Sequence, residues 1–476
     1  MDLASPPLET SKAQLESIFL AHQSALAAAP APDCALRSTH LKVLQRLLCE
    51  NVSVIAAAIS KDFGHRSAHE TQLLELFPAL QAIKHALKHI KTWMKPQRAW
   101  AALWFIPART ELRSQPLGVV GIIAPWNYPI LLAVGPLVSA LAAGNRVMLK
   151  MSEFTPHTAE LFAQLIARYF PSGPISVING GPETGKAFTA LPFDHLLFTG
   201  ATQVGRQVMR AAAENLTPLT LELGGKSPAI VGTDFPIALA AQRILFGKCL
   251  NAGQTCIAPD YVLLPRGCED EFIAAAKAAV AQLYPTLKDN ADYTAIVNLR
   301  HKQRLASYLE DARDQGAVVV ELNPANEIFS SSNKLPPTIV TQVNDTMRLM
   351  QEEIFGPLLP VLSYQSLDEA IGYVKRHARP LALYYFGYEP SAIERVLNET
   401  ISGGVSINET IMHIAQDHLP FGGVGASGMG HYHGRFGFET FSKLKPVFRQ
   451  SRYNGLKLFH PPFGKRFAAL IKMMLR

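Results

Sequence analysis

The sequence predicts an α/β protein in which two parallel-sheet domains pack face to face, and three observations carry this. Four short apolar runs, "LGVVGIIAP" (117–125), "RVMLK" (146–150), "ISVING" (175–180) and "HLLFTG" (195–200), alternate with segments of helical spacing. Strands apolar on both faces and separated by helices belong to a parallel sheet covered on both sides. A second such pattern runs from Leu223 to Asn408, with "SPAIVG", "YVLLP", "GAVVVEL" and "LPPTIV" as its strands, and no Gly/Ser-rich linker or internal repeat separates the two. The third observation is bulk: 476 residues, 48% hydrophobic and 17% charged, suffice for more than one core and exclude disorder as the dominant state. The expected site is a cleft between the domains, beyond the carboxyl ends of the strands.

Taken in order, the chain opens with "SKAQLESIFLAHQSALAAA" and "LRSTHLKVLQRLLCENVSVIAAAIS", whose apolar residues fall at helical spacing and read as a packed helical layer. "WMKPQRAWAALWFIPART" then breaks the pattern with prolines and tryptophans. Trp100, Trp104, Phe105 and Tyr128 are expected in the core or, less often, along a substrate tunnel. Beyond Ser451 the bases Arg452, Lys457, Lys465, Arg466, Lys472 and Arg476 meet no acid, so this tail holds six of the seven net positive charges. No nucleic-acid recognition motif accompanies them, and nucleic acid ranks low as a partner. The start "MDLASPPLETSKAQLE" lacks a secretory signal's apolar core, and no run reaches the length of a membrane span. Five cysteines without paired spacing fit neither a disulfide framework nor a zinc site, and His413, His431 and His433 show no metal-ligand spacing. The expectation is a cytoplasmic protein with free thiols and no metal.

The chemistry-bearing residues sit at strand ends. No G-x-G-x-x-G fingerprint is present, yet "FTGATQVGRQVMRAAAEN" follows a strand and opens a helix, with Gly200 and Gly205 where backbone N–H groups can meet a diphosphate. A tight turn would use the same glycines. Lys150 and Glu153 in "LKMSE" end another strand and can reach the hydroxyls of an adenosine ribose, although a solvated helix start reads the same way. "APWNYP" presents the amide of Asn127 between aromatics and prolines, "LELGGKSP" places Glu222 before two glycines, and "LNAGQTCIAP" carries Cys256. A lone cysteine is by default a small core residue. A thiol, an amide donor and a carboxylate at rigid ends together supply a nucleophile, an oxyanion stabiliser and a base for water.

In these motifs the chain resembles the aldehyde dehydrogenase superfamily, from about residue 30 to about residue 450. "PWNYP", "FTGATQVG", "LELGGKSP", "NAGQTC", "EEIFGP" (352–357) and "LPFGGVGASGMG" (419–430) occur in the family's order, with 34 residues from Glu222 to Cys256. "GQTCIAPDYVL" and "GMGHYHGRFGFETFS" are similar to its class 3 branch. "PFDHLLFTG" and "YPTLKDNADYTAIVN" resemble the bacterial coniferyl aldehyde dehydrogenases. The resemblance implies NAD(P)-dependent oxidation of an aldehyde to the acid. Cys256, its thiolate favoured by a local positive potential, forms a thiohemiacetal and then a thioester, Asn127 and the Cys256 N–H hold the oxyanion, and Glu222 activates water. Trp126, Lys150, Glu153, Gly200, Gly205, Glu353 and Phe355 are the implied cofactor contacts. Glu153 favours NAD over NADP, and Met151, where the family usually has proline, is expected to loosen the Lys150 turn.

The implied fold is a Rossmann-like NAD-binding domain (1–95 and 116–222, with the N-terminal helical layer), a catalytic α/β domain (223–418) and a small oligomerisation β element (96–115 and 419–450), followed by the basic tail (451–476). A homodimer is implied. An aromatic, coniferyl-type aldehyde leads as substrate, ahead of medium- or long-chain aliphatic aldehydes. A coenzyme A-acylating relative and a non-catalytic protein of the same fold are further alternatives. In "KRFAALIKMMLR", Phe467, Leu470, Ile471 and Met474 fall at i, i+3, i+4 and i+7 of a short amphipathic helix. Docking on the dimer partner, gating the substrate entrance and a weak membrane-surface contact are its expected roles, in that order.

Overall fold

The computed structural model describes residues 9–29 and 31–475. Residues 1–8, Pro30 and Arg476 lie outside the described residues, among them the start read as lacking a signal and the last base of the tail. The N-terminal layer consists of the helices Lys12–Ala28, Cys34–Glu50, Val52–Phe63 and Phe77–Trp93. Ser11 caps the first through a capping box with Gln14, and Asp33 caps the second by accepting from the Leu36 N–H. Their apolar stripes bury Leu41, Leu44, Leu48, Ile55, Ile59 and Ile83 completely. Between the third and fourth helices the backbone passes through Ala68–Thr71 and a π-helical turn, Gln72–Leu76.

The first large sheet contains β3 (Val119–Ile123), β4 (Arg146–Lys150), β5 (Ile175–Ile178), β6 (His195–Gly200), β7 (Leu219–Leu223) and the short β15 (Gly428–Met429), in the order β15-β7-β6-β3-β4-β5. All neighbours are parallel except β15, which returns from the far end of the chain to pair antiparallel with β7, Gly428 opposite Glu222. Omitting β15, the order is that of a doubly wound nucleotide-binding sheet, with the switch point between β3 and β6. The second sheet runs β10-β11-β12-β9-β8-β13-β14. Its strands are β8 (Pro228–Val231), β9 (Tyr261–Pro265), β10 (Val318–Glu321), β11 (Thr338–Thr341), β12 (Leu358–Tyr364), β13 (Ala382–Phe386) and β14 (Gly404–Ile407). Here too only an edge, β10, is antiparallel. The buried sides of β8, β9 and β13 and the helix Ile237–Cys249 belong to one continuous core with the N-terminal layer.

A third sheet, β1 (Gln97–Ala99), β2 (Arg109–Pro116) and β16 (Ser442–Arg449), joins two distant segments of chain. Trp100, Trp104 and Phe105 lie beside it on the surface, Trp100 99% exposed, so they are neither core nor tunnel; Phe105 meets Phe448 edge to face at 6.0 Å. Tyr128 alone of the four aromatics is buried. In the tail, the helix Lys465–Met474 has no buried residue and contacts the turn Leu456–Phe459. Among the described residues no single helix is long and apolar enough to cross a membrane, and all five cysteines are free.

Candidate active site

Each site residue owes its place to the end of an element. The helix Ile237–Cys249 stops at the turn Leu250–Gly253, where Asn251 (φ 51°), Ala252 (φ 52°) and Gly253 (φ 73°) are left-handed in succession. Two non-glycine residues in that region are held against their preference by surrounding bonds. The Gln254 side chain, wholly buried, bonds to Asn251 O, Ala295 O and Val297 N, and so ties the loop to the segment 295–297. Cys256 follows, facing a cleft of about 940 Å³.

From the other side β3 leads through Ala124 into Pro125-Trp126-Asn127. The Asn127 amide donates to the Gln254 carbonyl at 3.1 Å, leaving its second N–H available, and the Tyr128 hydroxyl meets Thr255 Oγ1 at 2.7 Å. The "PWNYP" loop is therefore bonded to the two residues that precede Cys256. Glu222, second from the end of β7, is 3% exposed and neither carboxylate oxygen has a hydrogen-bond partner. Burial pushes its pKa well above the ordinary carboxylate range. Burial, followed by the charges of Glu353 and Glu222, pushes the Cys256 thiol up to about 12, against the pull of the Cys256 and Ile257 N–H groups. Burial first and the two neighbouring carboxyl groups second thus favour the thiol, where the sequence reading expected a local positive potential to favour the thiolate. Glu353 is pushed up to about 8, by burial and by Asp260, while the Gly225 N–H, Lys226 and Arg304 hold it down.

The cleft has the parts a dinucleotide requires. The helix Thr202–Ala213 begins at its rim with no side-chain cap, so first-turn N–H groups are free for a phosphate. Lys150 lies 3.3 Å from Glu153 Oε2 at the end of β4. Trp126 and Phe355, centroids 5.3 Å apart, form part of the wall. Phe355 is left-handed (φ 49°), and Arg304 holds its turn by donating to Ile354 O at 2.9 Å and Glu353 O at 3.4 Å.

The structure brings Trp126, Asn127, Lys150, Glu153, Gly200, Glu222, Cys256, Glu353 and Phe355 to this one cleft. Gly205 is not on its wall. A Cβ there would lie 2.7 Å from Leu223, so its smallness lets the helix pack on β7. Met151 does not loosen its turn either: its N–H donates to Ile178 O at 3.1 Å, a bond proline lacks, and its carbonyl accepts from Lys150 Nζ at 3.0 Å. Sequence reasoning missed His301, Arg304 and Tyr308, which reach the cleft from the helix Leu299–Asp314. The ring of His301 packs 5.0 Å from Trp126. No motif marks them: His301 and Arg304 are ordinary polar positions of an amphipathic helix, and Tyr308, wholly buried, reads as core.

The chain is similar to known proteins along nearly its whole length. The profile of the Aldehyde dehydrogenase family matches residues 4–447. The chain is 54% identical over 464 residues to a probable coniferyl aldehyde dehydrogenase of Pseudomonas aeruginosa, covering 97% of both. It is similar to the substrate-bound state of Staphylococcus aureus AldH, with a TM-score of 0.92 and 39% identity over 97% of this chain and 99% of that one. A Mycobacterium tuberculosis aldehyde dehydrogenase complexed with NAD+ gives a TM-score of 0.84 at 29% identity, covering 94% of this chain and 92% of that one.

Proposed function

The chain belongs to the aldehyde dehydrogenase family, and from that premise we propose that it oxidises an aromatic, coniferyl-type aldehyde to the carboxylic acid with Cys256 as nucleophile. The observation that carries this reading is the convergence of Asn127, Glu222 and Cys256 on one cleft whose far end suits a dinucleotide. Cys256 attacks the carbonyl carbon and forms a thiohemiacetal. Glu222 and Glu353 border the thiol and are the bases available to it. The Asn127 amide and the Cys256 N–H face the resulting oxyanion, and removing one such donor costs about 10²–10³ in rate. Trp126, Lys150, Glu153, Gly200, Glu353 and Phe355 would hold NAD or NADP, which would accept the hydride that leaves the thiohemiacetal carbon as it becomes a thioester. Glu222 then takes a proton from the water that hydrolyses the thioester.

Mass spectrometry tests the assignment. Cys256→Ser abolishes oxidation, whereas Glu222→Gln still acylates and accumulates a thioester after exposure to aldehyde and NAD. A Glu222→Gln protein that gives an NADH burst yet stays unmodified removes Glu222 from its role. The substrate class rests on the named relative; the aliphatic alternative has less support. kcat/KM over cinnamyl-type and aliphatic aldehydes decides between them.

Assembly and location complete the reading. The chain forms a homodimer through the free edge strand β16 of the β1-β2-β16 sheet, where Phe448 is exposed. Phe448→Asp yields a monomer on light scattering if so. Free cysteines support the cytoplasm. The basic tail makes at most a weak, salt-sensitive contact with anionic membrane surfaces; vesicle binding lost on deletion of residues 460–476 checks it.

A further inference from the structure

The chemistry above uses none of three buried ionic side chains, Arg66, Glu70 and Glu75, yet each bonds to backbone beside the reacting atoms. Arg66 Nη1 donates to the carbonyl of Asn127 at 2.8 Å. Glu75 Oε1 lies 3.1 Å from the same nitrogen, both side chains wholly inaccessible, and its Oε2 accepts from the N–H groups of Ile130 (2.7 Å) and Leu131 (3.1 Å). The "PWNYP" loop is thus pinned at its middle residue and just beyond its end by one ion pair. Glu70 accepts from the N–H of Asn251 at 3.0 Å, inside the left-handed run before Cys256, and from Thr294. Asn251 Nδ2 closes the circuit, donating to Asn127 O and Gln254 O at 3.1 Å each.

Resting on the roles assigned above to Asn127 and Cys256, we propose that Arg66, Glu70 and Glu75 form a positioning element that presets the two oxyanion donors. Buried charges are a poor source of stability, since well-packed apolar side chains of similar volume serve as well or better. What they provide here is directed bonds to two loops at once. The guanidinium is accommodated between aromatic faces, 4.9 Å from the Tyr128 ring and 5.1 Å from Phe63, although its Nε and Nη2 have no hydrogen-bond partner. The π turn Gln72–Leu76 is the second observation. Residues i and i+5 lie about 140° apart on an α-helix, but a π turn brings them to one side, as Glu70 and Glu75 require.

The experiment follows the NADH burst on rapid mixing of enzyme, NAD and aldehyde, beside iodoacetamide alkylation of Cys256, which needs the thiol but no oxyanion donor. The variant is Arg66→Met with Glu75→Gln, which leaves neither charge of the pair buried alone. The expected result is a burst about 10–100-fold slower, because small misplacement of a reacting group costs that much. Alkylation rate and KM for NAD stay within about twofold, and Arg66→Lys, which can still donate to Asn127 O, is intermediate. An unchanged burst in the folded double variant overturns the proposal. So do a burst and an alkylation rate that fall by the same factor, which indicates general loosening. If the double variant does not fold, Arg66→Lys decides: a burst slowed with alkylation preserved supports the element, and an equal burst overturns it. Failure of the underlying reading is seen separately, as a wild-type burst that survives Cys256→Ser.

Discussion

Two buried glutamates border the same site and are treated in opposite ways. Glu75, under the "PWNYP" loop, has a cation 3.1 Å away and two backbone N–H donors. Glu222, at the end of β7, is as thoroughly buried and has no partner for either oxygen. Burial raises the pKa of both. The difference separates a carboxylate that orders its surroundings from one left short of hydrogen bonds, which gains most from taking a proton. An unsatisfied polar group costs stability and persists where chemistry uses it.

The sharpest test of that contrast is kinetic. Glu222→Gln is expected to slow thioester hydrolysis by about 10³-fold, within the range for loss of a general base. In the unaltered enzyme hydrolysis rises with pH, because a base whose pKa is raised ionises only as pH climbs through that raised value. Single-turnover measurements over a pH series above the ordinary carboxylate range show this limb, and Glu222→Gln flattens it. A limb that persists in the variant assigns the titration elsewhere.

Stability gives the next largest effect, with opposite signs at the two residues. Glu75→Met strands Arg66 without its counter-charge and is expected to cost about 3–5 kcal/mol in denaturant unfolding. Glu222→Met removes an unpartnered carboxyl and is expected to raise stability by about 1 kcal/mol. Equal losses in both would show that Glu222 has bonds of its own. Smallest is the effect at Glu153, a third kind of carboxylate, 30% exposed and paired to Lys150. Glu153→Gln is expected to leave folding unchanged and to lower the NAD over NADP ratio of kcat/KM by about tenfold or less, since half-exposed charges are screened.

The same contrast explains what was legible in the sequence. Asn127, Glu222 and Cys256 stand in short motifs at strand ends, and the two parallel sheets announce themselves by apolar runs, so both were readable from residue pattern. Arg66, Glu70 and Glu75 were not. They lie in a helical layer whose spacing reads as ordinary amphipathic packing, and the π turn that puts Glu70 and Glu75 on one side breaks the 3.6-residue period on which such reading depends. Gly205 was misassigned because a glycine that admits a ligand and one that admits a strand look alike in sequence. The surface position of Trp100 and Trp104 was hidden for a similar reason, since aromatic content says nothing of which side of a sheet is covered.

The bonds from Asn127 to Gln254 and from Tyr128 to Thr255 cross from the loop after β3 of the first sheet to the stretch leading into the second sheet. The proposed catalytic constellation is therefore stitched along a seam, with Asn127 and Glu222 on one margin and Cys256 on the other. A seam parts before the cloth tears. On gentle heating, turnover should fade while the circular dichroism of both sheets is still intact, making activity the earliest thermometer of this molecule.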